Sequence, residues 1–164
     1  MKRKIIVIYL LYLSIITGYL FMNYYEEHKE TVPATVYYID SDMLRLVPVE
    51  CNILKDKPQK QAEDIVSELI KGKDNIEKVR RMIPKDHECM SVHMERDTAI
   101  VDIKNPDDFP DGRIAENLIV YQIVNSLTSV SGIDKVQFTV RGEKMRDFKG
   151  FMDMRETYIA DLYV

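Results

Sequence analysis

The first pattern along the chain is an unbroken apolar run. From Ile5 to Met22 (IIVIYLLYLSIITGYLFM) no residue carries a charge. At ~1.5 Å rise per residue such a helix is ~27 Å long, close to the ~30 Å hydrocarbon core of a bilayer. Ser14, Thr17 and Gly18 fit within it, because a helical Ser or Thr hydroxyl can bond back to its own backbone. Tyr24 and Tyr25 follow at the depth where aromatic rings prefer to sit, and Glu26-Glu27-His28-Lys29-Glu30 returns the chain to water. A buried core helix would show a polar face, and this run shows none. Residues 5–22 are therefore predicted to form a transmembrane helix. The run exceeds the 7–15 apolar residues of a cleaved secretory signal, and neither a small-x-small pair nor a lipid-accepting cysteine follows it. An uncleaved signal anchor is the better reading. Lys2-Arg3-Lys4 precede the helix and acids follow it, so residues 1–4 are expected in the cytoplasm and the rest outside a single-pass cell membrane protein.

Beyond a polar tether at 23–33 the periodicity changes. Ala34–Ile39 (ATVYYI) reads as a strand, Asp40-Ser41-Asp42 as a turn, and Leu44–Ile53 as a second strand completing a hairpin. Pro48 implies an edge or a bulge there. Over Lys57–Lys71, Ala62, Ile65, Val66, Leu69 and Ile70 make one helical stripe, with Pro58 at the start and Gly72 at the end. A helical turn is expected over Ile76–Met82. Glu88–Glu95 alternates strictly, Met90, Val92 and Met94 against Cys89, Ser91 and His93, and turns at Arg96-Asp97 into a strand over Thr98–Lys104. Arg113–Ser129 is a second helix, Lys135–Val140 a last firm strand, and the stretch through Phe148, Phe151 and Met152 a short strand candidate. Residues 153–164 form a tail whose end, Tyr158–Val164, takes no assigned element. The order predicts an α+β two-layer sandwich over residues 34–152, with a mixed sheet of about five strands and two main helices on one face.

Charge narrows the class of partner. Setting aside Lys2, Arg3 and Lys4 leaves 20 basic against 27 acidic residues, a net of −7 for residues 5–164. That balance argues against nucleic acid and against an anionic lipid surface.

Candidate chemistry is sparse. His87, Cys89 and His93 invite a metal reading, but positions 89 and 93 of a strand stand ~13 Å apart, too far to share one ion. Asp40 and Asp42 flank a turn, where acids bond locally to the backbone. No glycine-rich phosphate loop or serine elbow is present, so no catalytic, cofactor or metal residue is assigned. A Cys51–Cys89 disulfide is permitted outside the cytoplasm, but the strand phases aim the two sulfurs at opposite faces, which favours Cys51 as a small buried hydrophobe. On the second helix, Ile119, Val120, Ile123, Val124 and Leu127 should face the sheet, while Ile114, Leu118 and Tyr121 lie nearly opposite. Two readings of that second stripe stand: an exposed interface for a neighbour, or packing beneath the first helix or the C-terminal tail.

Glu116 and the stretch VNSLTSVSGIDKVQFTVRGEK from Val124 to Lys144 resemble the GerM-type sporulation domain, also called the GerMN or germane domain. An acid early in this helix, Leu127-Thr128, Gly132-Ile133 and Val136-Gln137-Phe138 through Gly142 occupy the family's positions, and the upstream VYYID, QAEDIVSELIKG and AIVDIKN segments match its order. Ser131 stands where the family usually has proline, and Arg141 where it commonly has an acid. The resemblance covers roughly residues 35–152. It implies a non-enzymatic, extracytoplasmic domain of endospore-forming bacteria, similar to ring-building domains that stack laterally. The expectation is thus a membrane-anchored assembly protein in sporulation, cortex formation and germination, with partners in a sporulation envelope complex or in further copies of itself. The alternative is a small wall- or ligand-binding domain, and a hydrolase or metal enzyme is the least supported reading.

Overall fold

A computed structural model describes residues 2–27, 30–73, 78–86, 88–144 and 146–164, with side chains in the first helix described for residues 7–22. The chain divides into two units, Met1–Thr31 and Val32–Val164.

The first unit is helix α1 (Lys2–Glu27, 26 residues). Ser14 Oγ donates to Leu11 O at 2.8 Å and Thr17 Oγ1 to Leu13 O at 3.0 Å, so the polar residues of the run spend their hydrogen bonds on the helix itself. All but one of its described large apolar side chains, among them Ile8, Leu11, Ile15 and Phe21, are exposed; Ile16 is half-buried. Among the described residues no helix is long and apolar enough to cross a membrane. The transmembrane helix expected at 5–22 is thus found as a continuous helix and not demonstrated as a span. Within the stretch expected as a tether, 23–33, α1 continues through Glu27 and the first strand begins at Thr31.

The second unit is α+β with two sheets in place of the single five-stranded sheet expected. One sheet has the order β2-β1-β3, from β1 (Thr31–Asp40), β2 (Leu46–Leu54) and β3 (Val79–Arg80). The five-residue link between β1 and β2 leaves only an antiparallel hairpin, because a parallel pair needs a crossover of a dozen residues or more. Pro48 lies on β2, an edge strand, as its missing N–H requires. Pro33 is accommodated within β1 for a related reason. The amides of Thr35 and Tyr37, which share its side of the strand, donate to Ser129 Oγ (3.1 Å) and Ser126 Oγ (2.9 Å) and not to a neighbouring strand. The helical turn expected over Ile76–Met82 is corrected in its described part: Val79–Arg80 is β3, paired antiparallel with Ile39–Asp40. Ile76 lies outside the described residues.

The other sheet has the order β4-β5-β6-β7, from β4 (Met90–Glu95), β5 (Thr98–Ile103), β6 (Lys135–Val140) and β7 (Thr157–Tyr158). β4 and β5 form an antiparallel hairpin through Arg96-Asp97, whereas β5 and β6 run parallel, joined by the crossover helix α3 (Arg113–Leu127). The short strand expected near Phe148–Met152 occurs later, at β7 against Val136-Gln137.

Helix α2 (Pro58–Lys71) begins with proline at its first position and ends at Gly72, φ 61°. It buries Ala62, Ile65, Val66, Leu69 and Ile70, the stripe read from the sequence, against β2, β4 and α3. Burying each Ile or Leu contributes about 1.5–3 kcal/mol. Gln59 at its start clips the β4 edge, donating to Val92 O (3.1 Å) and accepting from Met94 N (2.8 Å). Helix α3 is not laid on one face of a sheet as expected. Eleven of its fifteen residues are buried, because β1, β6, α2 and the C-terminal segment enclose it.

Candidate functional site

The stripe singled out on α3 does not stand as one exposed patch. Ile114 is 64% exposed, Leu118 is 3% exposed, and Tyr121 is half-buried with its ring edge-on to Tyr158 at 6.0 Å. The cover is the C-terminal segment. Asn125 Nδ2 donates to Asp161 O (2.6 Å) while Asn125 Oδ1 accepts from Asp161 N (2.9 Å), and the chain end reaches β2, where Leu46 N donates to Val164 O at 3.3 Å. What remains open is a groove of about 510 Å³, lined by Met43, Leu44, Ile114, Phe151 and Tyr163 among others, with Leu118 at its floor. Leu44, Ile114, Phe151 and Tyr163 are all exposed.

Glu116, the early acid of α3, holds that segment down. It is fully buried, and its carboxylate accepts from the backbone N–H groups of Lys149 (3.2 Å), Phe151 (3.1 Å) and Met152 (2.9 Å). A buried carboxylate needs such partners. Asp102 does the same for the turn after β6. It accepts from Thr139 Oγ1 (2.8 Å) and Gly142 N (2.6 Å) and pairs with Lys104. Burial pushes its carboxyl up, but hydrogen bonds from Lys104, Gly142 and Thr139 outweigh that and hold it below the ordinary carboxylate range. Both acids are structural clasps.

The remaining candidates fall apart in space. Cys51, on β2, and Cys89, just ahead of β4, are both free thiols, and β2 and β4 belong to different sheets. Burial, with Asp86 second, pushes the Cys89 thiol up to about 11. Burial and then Glu68 also raise Cys51, although Lys73 lowers it. His93 is exposed beside Glu95 at 3.7 Å, His87 lies outside the described residues, and no acid, cysteine and histidine group able to hold a metal occurs among the described residues. Asp40 bonds locally, Oδ1 accepting from Leu44 N at 2.8 Å.

One grouping escaped the sequence reading. Tyr38 on β1 and Gln122 on α3 meet at a cavity of about 160 Å³ also lined by Lys73, Arg80 and Arg81. The available signal was Gln122 itself, a polar residue that falls between the two apolar stripes of α3, beside Leu118 and Ile119.

With this architecture in view, the comparisons are decisive for kinship. The model of the Germane family, described as sporulation and spore germination, matches residues 35–146, well over half of the chain. The chain belongs to the Germane family. Among solved structures it is similar to the first GerMN domain of the sporulation protein GerM from Bacillus subtilis, with TM-score 0.60 and 24% identity, covering 76% of this chain and 93% of that one. The tandem GerMN domains of the same protein give TM-score 0.59 and 23% identity; the match covers 76% of this chain and 44% of that one. A crystal structure from Clostridium perfringens gives TM-score 0.56 and 18% identity, covering 79% of this chain and 87% of that one. No curated protein matches. The Germane relation carries a sporulation- and germination-associated role, and the structural likeness carries the α+β fold.

Proposed function

We propose that this Germane-family chain is a membrane-anchored, extracytoplasmic assembly protein that works by protein–protein contact in sporulation. The observation that carries this reading is α1, a helix whose described side chains are mostly apolar and nearly all exposed, ahead of a Germane domain in the sequence. An apolar surface of that extent has no stable place in water, and a helix satisfies its own backbone inside lipid. Lys2, Arg3 and Lys4 ahead of the run favour a cytoplasmic N-terminus. The open groove of Leu44, Ile114, Phe151 and Tyr163 offers a surface for a partner or a second copy. Chemical cross-linking in sporulating cells, followed by size analysis of the detergent-solubilised chain, tests the reading. Assembly gives species larger than the monomer that Ile114→Asp reduces; a monomer in both strains contradicts it. The second reading, a small extracytoplasmic ligand-binding domain, has one observation in its favour, the polar cavity at Tyr38 and Gln122.

A further inference from the structure

Three parts of the domain converge beside the C-terminal end of α2: β1 with Tyr38, α3 with Gln122, and the segment 79–83. Tyr38 is 4% exposed and Gln122 3%. Tyr38 Oη and Gln122 Oε1 are buried without a hydrogen-bond partner, and both residues line the same cavity. Leaving a buried polar atom unsatisfied is unfavourable, and a Phe or Met of similar shape would avoid that cost. Polar residues kept at that disadvantage on the wall of one cavity call for a partner there. The described lining favours an anion: Lys73 and Arg80 bring positive charge to it beside Arg81, and no acid lines it among the described residues. Glu68, whose charge reaches Tyr38, is paired with Lys71 at 2.8 Å. Arg81 is held in place at the α2 terminus, with Nη1 donating to Ile70 O at 2.6 Å.

We propose that this cavity binds a small organic anion, a carboxylate bearing an adjacent hydroxyl. The carboxylate accepts from Tyr38 Oη and faces the three cations, and the ligand hydroxyl donates to Gln122 Oε1, an acceptor that no anionic oxygen could satisfy. At about 160 Å³ the space would hold about five waters by liquid volume, and an acid of about six heavy atoms fits within it. The site is independent of the membrane anchor and of the groove around Ile114, so its failure leaves the assembly reading untouched.

Calorimetric titration of the full-length chain in detergent with L-lactate, and with propionate as the probe lacking the hydroxyl, tests it. Saturable binding of lactate, about tenfold tighter than propionate, is expected from one hydrogen bond. Tyr38→Phe should weaken lactate about tenfold, and Gln122→Met should abolish the preference for lactate over propionate. Absence of saturable lactate binding, or equal binding of the two acids by the wild type, overturns the proposal without reference to any variant.

Discussion

The tightest constraints in this molecule are single carboxylates clasping backbone. Glu116 answers three N–H groups of the C-terminal segment from a fully buried position. Glu116→Ala leaves those donors without an acceptor and is expected to destabilise by about 3 kcal/mol or more. Amide exchange should show Lys149, Phe151 and Met152 losing protection first; uniform loss across the domain would argue against a local clasp. Asp102 offers a pH test. Its carboxyl titrates near ~3.9 when unfolded and lower when folded, so its contribution is complete above that value and is lost as pH falls through the folded pKa. The gap in urea midpoint between wild type and Asp102→Asn is expected to hold at neutral pH and shrink below about pH 4. A gap independent of pH contradicts this. Cys89, buried with its thiol pushed up to about 11, should resist alkylation at about pH 8 until denatured, whereas half-buried Cys51 reacts in the native state.

At the scale of elements, β1 and α3 are bound together by two serines. Ser126 Oγ donates to Gln122 O (2.6 Å) and Ser129 Oγ to Ser126 O (2.8 Å), and each hydroxyl then accepts a β1 amide. Replacing either with Ala is expected to lower stability by about 1 kcal/mol and to speed exchange at Tyr37 or Thr35 specifically. The same pair shows what a sequence conveys and what it hides. The α2 stripe, the β4 alternation and β6 were legible because each is a local period: 3.6 residues for a helix and 2 for a strand. The division into two sheets was not, since sheet membership depends on pairing between distant segments, and β3 is only two residues long. The enclosure of α3 was half legible. Its second apolar stripe was visible, but the covering tail carries no periodic signal and is held by Glu116, Asn125 and Gln137, whose partners are backbone groups. Gln137 Nε2, for example, donates to Met154 O at 2.7 Å.

At the scale of the whole molecule, an exposed apolar helix stands in sequence directly before a Germane domain with a dense core of its own. A domain of this net acidity has little attraction for anionic lipid, so the proposed membrane attachment rests on the helix. The most direct test is alkaline extraction of membranes from cells making the full-length chain, combined with protease treatment of intact protoplasts. Retention in the membrane pellet at high pH, with residues 32–164 digested from outside, is the expected result. Release into the alkaline supernatant, or complete protection of the domain in intact protoplasts, would contradict a membrane-anchored extracytoplasmic protein.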